Sequence, residues 1–117
     1  MRSINFSYDT DQDDLLLHYA SCQSKGSVEI GDLIIDYDSK NEFVGLQLMH
    51  ASAFIKACCN ENEIVIKTVL STLQSARLET TKRNNLLIIK LVLVGKNKEI
   101  SSVLTLPSIT QENPALG

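Results

Sequence analysis

The chain has no tryptophan, two prolines, and only three phenylalanines and three tyrosines in 117 residues. That scarcity argues against single-stranded nucleic-acid binding, which relies on aromatic platforms for stacking bases. No apolar run reaches the roughly 18 residues that a membrane-spanning helix needs. The N-terminal stretch MRSINFSYDTDQDD lacks the apolar core of a secretion signal, so a cytoplasmic location is expected. Cys22, Cys58 and Cys59 are an odd count with an adjacent pair, a poor disulfide framework that suits a reducing compartment. Glycine-rich phosphate loops, HExxH patterns and paired carboxylates on a helix face are also missing from the sequence.

What remains is a chain able to fold around a core, with 44% hydrophobic and 21% charged residues. The net charge of −3 conceals an asymmetry. Residues 1–59 carry four Lys/Arg against nine Asp/Glu, and residues 60–117 seven against five, so the halves stand at −5 and +2. The first half repels phosphate, and the second is only mildly basic. A nucleic-acid role would require Lys82, Arg83, Lys90, Lys96 and Lys98 to share one face.

Period-two alternation dominates. Ile4, Phe6 and Tyr8 make one strand, and Leu15, Leu17 and Tyr19 the next, with Leu16 and His18 on the opposite side. Between them, Asp9, Asp11 and Asp13 resemble the start of a calcium loop. Asp14 replaces the needed glycine there, and Ala20 stands where a bidentate glutamate is required. The expectation is a metal-free turn whose carboxylates accept nearby backbone N–H groups.

Residues 21–27 read as a loop, with Val28 to Ile30 extending a strand edge. Leu33, Ile35 and Tyr37, a polar turn over Asp38 to Glu42, and the run Phe43 to Met49 then form a hairpin. Gly45 inside the second strand implies a bulge or a close backbone approach. Val44, Leu46 and Leu48 are expected on one face.

At these residues the chain resembles a known family. YDTDQDDLLLHY and LIIDYDSKNEFVGLQLMHAS are similar to the two spaced signatures of the uncharacterised family called domain of unknown function 2283. The resemblance covers about residues 4–52 and departs at Asn41 for Gly, Gln47 for Glu and His50 for Asp. Asn tolerates the left-handed backbone that Gly would supply. The resemblance implies a compact β-rich fold and, in some relatives, gene pairing with a toxin-like protein. It transfers no catalytic residue.

Ala51, Phe54, Ile55 and Cys58 mark a helix over Ala51 to Cys59, with Ser52 near its N-cap. The segment Asn60 to Gln74 supports two readings: Ile64, Val65 and Ile66 are strand formers, while Ile66, Val69, Leu70 and Leu73 form a helical stripe. Its length and the Asn60-x-x-Glu63 start favour the helix. Ala76 to Thr81, Leu86 to Val94 and Ile100 to Leu106 follow as a three-strand meander, with positive φ available to Asn84-Asn85.

The expected architecture is an α+β domain over residues 1–107. About seven mainly antiparallel strands carry one or two short helices, and a flexible tail spans 108–117. No catalytic, cofactor-binding or metal residue stands out. His18 and His50 are the only imidazoles, and His50 could meet a helix cysteine; an enzyme or small-ligand reading would rest on one of them. Adjacent Cys58 and Cys59 point about 100° apart on a helix, so they read as structural thiols. The function expected is a non-enzymatic protein-interaction module, an antitoxin-like partner if the resemblance extends that far. Leu86 to Val94 is apolar on both faces but for Lys90, and so predicts a homodimer through the C-terminal half, with Lys90 at the rim or paired with Glu79. The alternative is that the N-terminal hairpins cover the second face.

Overall fold

A computed structural model describes residues 3–107; the expected tail over 108–117 lies outside the described residues. The fold is α+β, with eight strands in two antiparallel sheets and two helices. Strands β1 (Ile4–Asp9), β2 (Asp14–Tyr19), β3 (Gly26–Ile30), β4 (Leu33–Tyr37) and β5 (Phe43–Leu48) form a five-stranded sheet ordered β1-β2-β5-β4-β3. Helices α1 (Ala51–Cys58) and α2 (Glu63–Ser71) follow. Strands β6 (Ser75–Arg83), β7 (Leu86–Val94) and β8 (Glu99–Pro107) make the second sheet in simple meander order. The eighth strand is β3, which begins at Gly26 inside the expected loop and pairs with β4 along its whole length.

One continuous core joins the two sheets and the helices. It takes Leu15, Leu17, Leu33, Ile35, Leu46 and Leu48 from the first sheet, Ile55, Ile66 and Leu70 from the helices, and Leu87, Ile89, Leu91 and Leu93 from β7. Each set is one side of a period-two strand or one stripe of a helix. Tyr19 Oη donates to the Leu78 carbonyl at 3.2 Å, a polar tie between the sheets inside this core.

The hairpin of β4 and β5 bears out its irregularities. Asp38 accepts N–H bonds from Lys40 (2.8 Å) and Glu42 (2.9 Å), and Asn41 takes the left-handed conformation at φ 61°. Gly45 lies opposite both His18 on β2 and Asp36 on β4. A Cβ there would sit 2.7 Å from the Leu17 carbonyl oxygen, so the close backbone approach is real. The register slips beside it, from Asp36↔Gly45 to Tyr37↔Phe43, so Val44 is the extra residue of a bulge. The bulge corrects the expected face: Phe43 joins Leu46 and Leu48 in the core cluster, and buried Val44 does not.

The helices also differ from expectation in detail. Residues 63–71 are helical, but the cap is Asn62 and not Asn60: Asn62 Oδ1 accepts Val65 N–H at 2.9 Å. In α1 the buried residues are Ala51, Ser52 and Ile55, while Cys58 is exposed and half-buried Cys59 packs on the core. Ser52 is the second residue of that helix, and His50, its N-cap, supplies no side-chain cap.

Candidate functional site

The densest polar construction lies where the β1–β2 turn meets the start of α1. Asp9 behaves as a local turn former, its Oδ1 accepting Asp11 N–H (2.9 Å) and Gln12 N–H (3.1 Å). Asp13 does something else, which corrects the expectation of purely local bonding. It adopts φ 58° and reaches 39 residues along the chain. Its carbonyl accepts Ala51 N–H at 2.8 Å, and its carboxylate accepts Ser52 N–H at 3.2 Å and Ser52 Oγ–H at 2.7 Å. Tyr8 Oη donates to the other carboxylate oxygen.

The helix is therefore capped by a residue from a different hairpin, which satisfies N–H groups that its own N-cap leaves bare. A negative charge at a helix N-terminus is favourable as well. Ser52 is 0% exposed, and its hydroxyl also lies 3.3 Å from Glu63 Oε2 at the start of α2. Tyr8, Asp13, Ser52 and Glu63 thus tie β1, β2, α1 and α2 together. The Tyr8 phenol is raised above its ordinary value, first by burial and then by its hydrogen bond to Asp13.

This network acts as a latch between elements. Ser52 has no imidazole or amine beside it, among the described residues, to take its proton, and its hydroxyl is inaccessible to a substrate. His18 Nδ1 bonds its neighbour's carbonyl, that of Tyr19, at 2.8 Å, and its ring packs against Gly45. His50 is 73% exposed, takes φ 53° at the strand-to-helix junction and lies 3.3 Å from Asp32. It stands at the opposite end of α1 from Cys58 and Cys59, about 12 Å away along the axis, so it does not meet a cysteine. Cys22 follows β2 and packs on the core.

A groove of about 190 Å³ between α2 and the β7–β8 turn is lined by Ile64, Val65, Val69 and Lys96 among others, with no histidine or cysteine. The basic residues do not gather. Lys82 and Arg83 lie at one end of the second sheet, and Lys96 and Lys98 lie beyond the other end of β7, about 25 Å away. Lys90 lies between them on the outer face, and Lys98 is paired with Glu61 at 3.0 Å.

A β-rich α+β fold built on a five-stranded antiparallel sheet, with its first helix capped from a turn of that sheet, is the class these features define. Residues 5–52 match the family described as Protein of unknown function (DUF2283), in agreement with the resemblance in the two spaced signatures. That stretch is the five-stranded sheet and the first two residues of α1, ending on Ser52. The chain is also 27% identical over 97 residues to an uncharacterized protein of Methanocaldococcus jannaschii, covering 83% of this chain and 79% of that protein. No solved structure matches the chain. No helix among the described residues is long and apolar enough to cross a membrane.

The latch was only partly legible in the sequence. Both of its ends, Asp13 and Ser52, sit in the signatures, but nothing in their spacing says that they touch.

Proposed function

We propose that this protein is a non-enzymatic interaction module that self-associates through its C-terminal sheet. The observation that carries this reading is the uneven covering of β7. Leu87, Ile89, Leu91 and Leu93 are buried against the helices and the first sheet. On the outer row, Val92 is buried at 1%, but Leu86 is 42% exposed, Ile88 and Val94 are half-buried, and Val103 beside them on β8 is 54% exposed. The N-terminal hairpins pack on the inner side, and the remaining exposure on the outer row supports a partner there. Glu79 stands directly opposite Lys90 on this face, both exposed, so the one charge in the middle of the apolar row has an acid across from it.

A second copy joined to this sheet, at its face or at its edge, reduces that exposure at the least cost in new sequence, and two-fold dimers are the commonest assemblies. Light scattering at micromolar concentration tests the reading. A mass of two chains is expected; a mass of one chain that does not change on concentration rejects it.

A further inference from the structure

The four sheet edges are not equally defended. Strand β3 has five residues, carries Glu29 and ends at a glycine on each side. Strand β6 carries Arg77, Glu79, Lys82 and Arg83, and β1, six residues long, packs near it. Strand β8 is nine residues long, and from Ile100 to Leu106 it holds no charge, no glycine and no proline. Among the described residues it pairs with β7 alone. A long uncharged edge is the kind that captures another strand, because its row of N–H and C=O groups is a template.

The register says which groups are free. Gly95 N–H donates to the Lys98 carbonyl at 2.8 Å, one step beyond the Val94–Glu99 pair and in the same register. Hydrogen-bonded and non-hydrogen-bonded pairs alternate in an antiparallel ladder. Ile100, Ser102, Leu104 and Leu106 therefore bond to β7, and Glu99, Ser101, Val103 and Thr105 point their main-chain groups to the open edge. Pro107 falls on the outward set, where its missing N–H takes nothing from the β7 ladder.

We propose that β8 pairs antiparallel with β8 of a second copy about a two-fold axis at Val103, joining the two three-stranded sheets into one of six strands. This rests on the self-association reading above and places the contact at the β8 edge, with Val103 of the outer row at its centre and Leu86 outside it. The strand is its own complement in that arrangement. Val103 faces Val103 of the second copy as a doubly hydrogen-bonded pair, Ser101 faces Thr105 on both sides, and Glu99 N–H meets the Pro107 carbonyl at each end. On the inner row, Ile100 meets Leu106 and Ser102 meets Leu104, so the apolar core runs on across the junction. The sole charged residue, Glu99, lies at the margin, where the opposing residue is proline and not another acid.

Light scattering on the purified chain, on Ser101→Pro and on Leu86→Lys separates the mode from the reading. Proline at 101 removes an outward N–H and leaves the β7 ladder whole, whereas lysine at 86 alters the sheet face and leaves the edge whole. The expected masses are two chains for the unaltered protein, one for Ser101→Pro and two for Leu86→Lys. A dimer that survives Ser101→Pro but not Leu86→Lys overturns edge pairing and keeps self-association.

Should Ser101→Pro fail to fold, amide exchange in the unaltered protein decides. Ser101, Val103 and Thr105 amides are expected to be slow at high concentration and to speed up on dilution. Unprotected exchange at these three amides in a chain that scatters as a dimer overturns this pairing. A one-chain mass for the unaltered protein overturns both statements.

Discussion

The two sheets solve the same problem, an apolar face that must be covered, by different means. In the five-stranded sheet nearly every departure from regularity is held by a particular polar or small residue: Asp9 and Asp38 in turns, Asn41 in the left-handed region, Gly45 beside the bulge, Asp13 across to α1. The three-stranded sheet is a plain meander of three nine-residue strands in unbroken register, with Asn84 at φ 57° as its one non-glycine residue in the left-handed region. Register in the first is fixed by specific contacts. In the second, alternation of large apolar side chains suffices, because a one-residue slip would turn Leu87, Ile89, Leu91 and Leu93 away from the core. Substitutions that test local chemistry should therefore harm the first sheet far more than the second.

The sharpest test is Gly45→Val. The added side chain starts 2.7 Å from the Leu17 carbonyl and 3.1 Å from the His18 Cα, and backbone cannot move aside as a side-chain tip could. A loss of about 3 kcal/mol or more is expected, measured by urea unfolding. Thr81→Val, on the exposed outer row of β6, is expected to change stability by less than about 0.5 kcal/mol. Equal effects at the two sites would erase the contrast between the sheets.

Next comes the latch. Asp13→Ala removes a charged acceptor from Tyr8, Ser52 N–H and the buried Ser52 hydroxyl, and is expected to cost roughly 2–3 kcal/mol. Asp13→Asn is expected to recover only part of this. Both carboxylate oxygens accept bonds, and an amide must turn a donor toward one of those donors. A denaturation midpoint for Asp13→Asn equal to that of the unaltered protein would mean that the residue serves only its own turn.

These two sites also mark how far the sequence could be read. The fold class, the strands and the hairpin at Asp38 to Glu42 follow from alternation and turn chemistry, which are local. Gly45 was legible for the same reason, since a glycine weakens a strand and is kept there where a bulge or a neighbouring backbone leaves no room for a side chain. A bulge was one of the two readings of Gly45, but its place at Val44 was not legible, because that depends on β4 and β5 meeting at a slipped register. The Asp13–Ser52 bond was hidden for a related reason: a turn aspartate ordinarily bonds within its own turn, and the partner lies 39 residues away. The separation of Lys82 and Arg83 from Lys96 and Lys98 depends only on strand length, and could be worked out once β7 was recognised as one strand.

Between the sheets lies α2, whose cap offers a smaller and cleaner measurement. Asn62→Ala is expected to cost about 1 kcal/mol, because Val65 N–H loses its acceptor. Asn60→Ala is expected to cost close to nothing. The reverse order in thermal unfolding would place the helix start two residues earlier.

The smallest effect is confined to alkaline pH and again separates the two regions. All three tyrosines, Tyr8, Tyr19 and Tyr37, lie in the first half of the chain. Burial raises both Tyr8 and Tyr37, and for Tyr8 the hydrogen bond to Asp13 and its negative charge add to burial. A phenol held above its unfolded value favours the folded state fully below about pH 10, the ordinary tyrosine value. That contribution is lost as the pH rises from there toward the folded-state value, because the unfolded chain gives up the proton first. Stability should therefore fall above about pH 10, with the five-stranded sheet as the source. Tyrosinate absorbance against pH checks the cause. In Asp13→Ala one phenol is expected to titrate at lower pH than in the unaltered protein, yet still above the ordinary value, since burial is the largest contribution and remains. An unchanged titration curve would show that Asp13 does not hold the Tyr8 proton.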